Sequence, residues 1–351
     1  MPIFKQDLIL EAARNVKVFF EVRMGIVRGA IPAPDAAWHL EQLAARDGEI
    51  TQLRALLAAS GDGASTGSIP PDHLIWMFGV ARTGSSWLGA MMGDLEDHAM
   101  WYEPYVGDVF GYAYYMRAGE QQRQREDYIL GDPHKEIWIR SIRTFVLDGV
   151  NARFSEMPED GYVVIKEPNG SVGAPLLVEA LPESRVILLV RDPRDVVASL
   201  LAAQRRGSWG SGNSEGSLAD TNPDEFVQQR ARMYIASLGK AWEAYEAHEG
   251  RKVATRYEDL RYDTFGELER IYASLGIPIE GEQLRRVVEK HAWENIPEKQ
   301  KGPNKPRRKA TPGGWQQDLT PAQARMVEEI TIPIMDEFYP GWERVLATPS
   351  D

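Results

Sequence analysis

An apolar run from Leu74 to Val80 feeds directly into a glycine-bearing turn and a helix, reading Phe78-Gly-Val-Ala-Arg-Thr-Gly-Ser-Ser-Trp87. Strand, glycine turn and helix, in that order, predict backbone N–H groups and a helix N-terminus brought against an anion, phosphate above all. The nucleoside-triphosphate version of this loop asks for Gly, four residues, Gly, Lys and then Ser or Thr. Gly79 and Gly84 keep that spacing, but Ser85 stands where the lysine belongs, followed by Ser86, and a basic residue appears three positions earlier, at Arg82. A cation at that point lies beside the loop, in reach of a 5′-phosphate and of the oxygen bridging it to a leaving group. It does not serve attack on a γ-phosphate. The plainer alternative is a turn that binds nothing.

Composition narrows the partners. With 351 residues the chain can bury a full core, as one large domain or one domain with a small appendage. Its net charge of −12 argues against a general nucleic-acid surface, so an anionic ligand must be met by a local cluster of cations. The absence of cysteine removes disulfides, thiolate chemistry and Cys-based zinc sites, and fits a cytoplasmic location. The N-terminus reads as no signal peptide, and no window approaches the apolar length of a membrane span.

Residues 1–60 read as a helical extension. Trp38, Leu40, Leu43, Ile50, Leu53 and Leu57 fall at amphipathic helical spacing, too briefly for a stable coiled coil. This helix packs on its own domain or forms a homodimer contact; the Val16–Ala30 stretch before it is a packed helix or a membrane-surface one. Residues 61–71, rich in Gly, Ser and Pro, are a linker to the main domain at 72–351. Further strand-like runs are Tyr162–Ile165, Val186–Val190 and Val253–Tyr257, separated by helical stretches. Alternating strands and helices predict an α/β fold of three layers, a central parallel sheet flanked by helices. Gly207–Pro223 is a long irregular segment, a candidate lid.

Two more clusters carry chemistry. In Val186-Ile-Leu-Leu-Val-Arg-Asp-Pro-Arg-Asp-Val-Val-Ala-Ser199 a buried strand runs into a helix with Asp192 as N-cap and Pro193 at its first position. Arg191 then stands at the carboxyl edge of the strand, where open α/β sheets bind ligands, and Ser199 lies two turns into the helix. Together they suit a second phosphate, separate from the first; the alternative for Arg191 is a capping salt bridge with Asp195 or Asp192. Lys299-Gln-Lys-Gly-Pro-Asn-Lys-Pro-Arg-Arg-Lys309 gathers six cations in eleven residues and leads into Ala310-Thr-Pro-Gly-Gly-Trp315. It is a solvated run or a basic loop over an anion.

In combination these stretches resemble the sulfotransferases that use 3′-phosphoadenosine 5′-phosphosulfate, over residues 73 to about 340, on the P-loop-like fold of that family. The first loop resembles the family's 5′-phosphosulfate loop, which implies donor contacts from Arg82, Thr83, Gly84, Ser85, Ser86 and Trp87, with Trp87 stacked on adenine. The Arg191…Ser199 pair is similar to the family's 3′-phosphate motif, and Arg256-Tyr-Glu-Asp-Leu260, with Tyr257, is a further family-like stretch. Arg308-Lys309-Ala310 with Gly314-Trp315 resembles the family's Arg-Lys-Gly…Gly-x-Trp element. Ala310 departs from that pattern, since alanine restricts φ more than glycine does. The resemblance implies in-line transfer of a sulfuryl group to a hydroxyl, less readily an amine, of a small-molecule, glycan or lipid acceptor, with adenosine 3′,5′-bisphosphate as product and no metal.

The general base is open between Glu103, in Trp101-Tyr-Glu-Pro104, and Glu167, beside Lys166, with His98 a third choice. The aromatic-Glu-Pro segment is similar to that of carbohydrate sulfotransferases. Lys166 assists the transferring oxygens or pairs with Glu167. Tyr102, Tyr105, Phe110, Tyr112, Tyr114 and Tyr115 line an acceptor or fill a core. Two other readings stand beside this one: a P-loop small-molecule kinase, which position 85 disfavours, and a non-catalytic nucleotide-binding adaptor working through residues 1–60.

Overall fold

The computed structural model describes residues 69–342, apart from 159, 206–207, 209–216, 303–304 and 306–309. The expected N-terminal helices and their dimer contact, the linker up to residue 68, Arg308, Lys309 and most of the Gly207–Pro223 segment lie outside the described residues.

Five parallel strands form one sheet in the order β2-β3-β1-β4-β5, with β1 at Leu74–Phe78, β2 at His98–Tyr102, β3 at Tyr162–Lys166, β4 at Arg185–Val190 and β5 at Lys252–Arg256. Every residue of β1 and β4 is buried, as expected where helices cover both faces and the strand pattern becomes a continuous apolar run. Alternation divides the core between the faces. Leu74, Trp76 and Phe78 pack into one cluster and Ile75 and Met77 into the other. Fully burying a side chain of this size contributes about 1.5–3 kcal/mol, so the two clusters hold the sheet between its helical layers.

Helices α1 (Ser85–Gly93), α2 (Val106–Gly111), α3 (Lys135–Arg153), α4 (Ala174–Ala180), α5 (Pro193–Gln204), α6 (Pro223–Ala247), α7 (Tyr257–Tyr262), α8 (Thr264–Leu275), α9 (Gly281–Lys290) and α10 (Pro321–Phe338) follow in chain order, among shorter turns. The Trp76 cluster takes in Ile142 and Val146 of α3, Leu176 and Leu177 of α4, and Tyr234 and Leu238 of α6. Ile75 and Met77 meet Leu88 and Met91 of α1, Ile271 and Leu275 of α8, and Leu284 and Val287 of α9. A third cluster joins Val197 and Leu201 of α5 to Ala324 and Val327 of α10. This is the three-layer α/β architecture read from the strand–helix alternation.

Two details differ from the sequence reading. Strand β2 has no counterpart in it, because His98-Ala-Met-Trp-Tyr102 has no β-branched residue and, at the sheet edge, no continuous burial. Pairing with β3 makes it a strand, in a register that sets Tyr102 opposite Lys166. Tyr257 begins α7 and does not end β5.

Candidate active site

The carboxyl ends of the strands open into a cleft of about 830 Å³ lined by Arg82, Gly84, Ser85, Ser86, Trp87, Arg191, Ser199, Tyr257 and Ala310 together with Tyr102, Arg261, Trp293 and Lys299. Gly84 takes φ 90, a left-handed conformation, and its missing side chain leaves room for Tyr257, whose ring would stand 2.5 Å from a Cβ there. The turn therefore admits both the backbone reversal and the aromatic wall. Helix α1 starts at Ser85 with no side-chain cap, so its first turn presents an uncapped positive end to the cleft. Thr83 is fully buried and donates its hydroxyl to Val80 O at 2.8 Å, which closes the loop on itself.

The two anion motifs, separate in sequence, meet in this cleft. Arg82 has φ 74, and its Nε donates to Ser199 Oγ at 3.1 Å, while Arg191 Nη1 donates to Arg82 O at 3.0 Å. The Arg191 guanidinium stands 4.2 Å from the centre of the Tyr257 ring and 3.7 Å from the Asp195 carboxylate. Asp195 also accepts from the backbone N–H of Gly313 and Trp315 at 2.8 and 2.9 Å, which ties the 310–315 segment to α5. Burial pushes the Asp195 carboxyl up from its ordinary range, against the pull of Arg191. Tyr257 donates its hydroxyl to Ala310 O at 3.0 Å, and burial raises its pKa. Among the described residues, Arg191 Nε and Arg261 Nε are buried without a hydrogen-bond partner. Trp87 is held by a 2.9 Å bond from Nε1 to His291 O, with the Arg261 guanidinium 5.3 Å from its ring centre.

Elsewhere in the cleft Ser86 Oγ lies 3.2 Å from Tyr102 OH, and behind the cleft wall, beneath the Tyr102 ring, the Lys166 ammonium stands 3.9 Å from the ring centre. Lys166 is buried and donates to Glu103 Oε1, so it pairs with Glu103 and not with Glu167. The sheet brings the two together: Glu103 N–H donates to Lys166 O at 2.9 Å, extending the β2–β3 ladder by one rung. Glu167 points elsewhere. Its fully buried carboxylate accepts from Tyr105 N–H at 3.1 Å and Gly107 N–H at 3.0 Å, holding the entry to α2, and burial pushes its pKa up to about 7. His98 is the first residue of β2, at the strand end remote from the cleft, and burial pulls its pKa down. Of the aromatic cluster, Tyr114 is buried, with its hydroxyl on Asp132 at 2.6 Å, whereas Tyr102, Tyr105 and Tyr112 are exposed.

Among the described residues no group of three or more His, Asp or Glu side chains is placed to hold a metal, and no helix is long and apolar enough to cross a membrane. Trp293, Ile296 and Arg261, which lie outside the sequence motifs, also form the cleft wall. Arg261 lies one turn beyond Tyr257 on α7, a spacing that would have found it.

A family model for the sulfotransferase domain matches residues 72–339. The chain belongs to the sulfotransferase family. Solved structures similar to this sulfotransferase include a mouse sulfotransferase complexed with PAP, at 16% identity and a TM-score of 0.49, covering 80% of this chain and 90% of that one. Retinol dehydratase in a complex with retinol and PAP stands at 17% and 0.48, covering 78% and 84%. A sulfotransferase from Mycobacterium avium stands at 14% and 0.48, covering 82% and 81%. No curated protein sequence matches the chain.

Proposed function

We propose that this sulfotransferase moves the sulfuryl group of 3′-phosphoadenosine 5′-phosphosulfate to a hydroxyl of a small-molecule or lipid acceptor, with Glu103 as general base. The observation that carries the donor reading is the pair of orphaned, buried guanidinium donors, Arg191 Nε and Arg261 Nε, in a cleft that Arg82, Ser199 and the α1 N-terminus also line. A buried unpaired donor is costly, and a phosphate removes that cost twice over. Arg191 and Ser199, with Arg308 and Lys309 beyond the described residues, would take the 3′-phosphate. The first turn of α1 would take the 5′ side, and Trp87 would stack on adenine. Arg82 rests on Ser199 in this structure and would turn to the leaving phosphate with the donor bound. These cations and N–H groups meet the donor's charge, so no metal is invoked.

When bound, the donor supplies the sulfuryl group and departs as adenosine 3′,5′-bisphosphate. As the acceptor oxygen bonds to sulfur and the bond from sulfur to the phosphate oxygen breaks, Glu103 takes the hydroxyl proton. The Lys166 ammonium, pinned under Tyr102, donates to Glu103 and would assist the transferring oxygens. Glu167 is left out of the chemistry because both of its oxygens are engaged by backbone N–H groups.

The acceptor side is apolar. Tyr105, Val109, Tyr112 and Met116, between 44% and 61% exposed, recur at helical spacing directly after Glu103, and Tyr102 flanks them. A labelled donor offered to phenols, long-chain alcohols, sugars and amines is expected to mark the first two; preferential labelling of sugars would overturn the apolar acceptor. Thermal unfolding separates the donor reading from a kinase. Adenosine 3′,5′-bisphosphate at a hundred times its Kd is expected to stabilise the protein by about 2.7 kcal/mol, and stabilisation by ATP–Mg²⁺ alone would sink the assignment. Glu103→Gln is expected to lower kcat by roughly 10²–10⁴ with nucleotide binding retained. Full transfer by that variant would remove Glu103 as the base.

A further inference from the structure

Glu103 is gripped from both sides. Lys166 Nζ donates to Oε1, and Tyr105 OH donates to Oε2 at 3.2 Å across the intervening Pro104. The tyrosine is itself engaged, because Asn169 Nδ2 donates to its oxygen at 3.3 Å. The backbone between them has a costly conformation. Glu103 has φ 45 and Tyr105 φ 60, both left-handed, and each costs a non-glycine residue roughly 1–2 kcal/mol. Such strain persists only where the surroundings impose it. They do so here through Glu167, whose buried carboxylate takes the N–H groups of Tyr105 and Gly107 and so fixes the turn from below. The turn folds Tyr105 back on the residue two positions earlier.

We propose that Tyr105, oriented by Asn169, is a positioning residue for Glu103: its hydroxyl fixes the carboxylate rotamer. The proposal rests on Glu103 being the base. The phenol is suited to donate throughout, since burial and then the neighbouring Glu103 charge raise its pKa above the ordinary value. The charged groups around the turn are Lys166 on β3, Glu167 just after it and Asp108 in α2. Tyr105 and Lys166 thus hold opposite oxygens of the carboxylate.

The test is kcat set against acceptor KM for the Tyr105→Phe enzyme, measured beside donor affinity. Loss of the hydroxyl is expected to lower kcat about tenfold, with acceptor KM and donor Kd unchanged. Asn169→Ala is expected to act in the same direction and less strongly, about threefold in kcat, because it acts only through Tyr105. An unchanged kcat, or a loss shared by acceptor KM and donor Kd, would mean the tyrosine is packing alone and would overturn the proposal. Glu103→Gln separates the two levels of the argument. An active Glu103→Gln enzyme overturns the base assignment itself, whereas an inactive one with an unchanged Tyr105→Phe kcat overturns only the role of the tyrosine.

Discussion

Ala310 has φ 52, a conformation that suits glycine, at the position where the family pattern places glycine. Its carbonyl receives the Tyr257 hydroxyl, so the tertiary contact holds the strained backbone in place. Ala310→Gly removes the Cβ clash and also loosens the unfolded chain; the net gain is expected to be roughly 0.5 kcal/mol, read as a rise in Tm. A fall in Tm would show that alanine sits there without strain. Residue types at this scale were readable from sequence in part. Arg191 and Ser199, eight apart with an N-cap between them, could be placed on one strand end and one helix. That Arg82 reaches Ser199 could not, because 117 residues separate them and only the sheet order brings β1 beside β4.

At the level of elements, α2 crosses the Pro168–Gly173 turn more closely than side chains allow. A Cβ on Gly107 would stand 2.1 Å from Gly170 O, and one on Gly111 would stand 2.3 Å from Gly173 Cα. The neighbours on both sides are backbone and cannot rotate away. Gly107→Ala is therefore expected to destabilise the protein by about 1–3 kcal/mol in urea unfolding. It is also expected to lower kcat more than donor affinity, because the displaced helix carries the Glu103–Tyr105 turn with it. A variant of full activity and unchanged midpoint would show that the crossing relaxes freely. The glycines are visible in the sequence, but their partner is not: only the β2–β3 pairing, at an edge strand with no sequence signature of its own, sets one turn on the other.

For the whole molecule, Glu167 links stability to pH. Its pKa rises from 4.5 to about 7 on folding, so the native protein holds a proton that the unfolded chain has released across that interval. The favourable contribution is complete below about pH 4.5, declines as the pH rises towards 7 and is lost above it. For this one group the change is on the order of 3 kcal/mol. Glu258 and Glu328 are also raised by burial, while Asp94 and Glu267 are lowered by their cationic partners, so the comparison that isolates Glu167 is between variants. Urea midpoints measured at pH 5 and pH 7.5 are expected to fall more steeply with pH in the native sequence than in Glu167→Gln. Equal slopes would remove Glu167 as the source.

The loop after β1 shows where sequence ends and tertiary structure begins. Local chemistry alone determined the strand, the uncapped helix start, the absence of a lysine at position 85 and the cations at 82 and 191, because each depends on residues within a few positions of one another. Spacing within one helix placed Ser199. Only the folded sheet decided that Arg82 and Ser199 share a cleft, that Lys166 pairs with Glu103, and that Glu167 holds a turn. Strand order and register fix those contacts, and both are set by the burial of two opposite apolar faces at once, a property that no single segment of the chain contains.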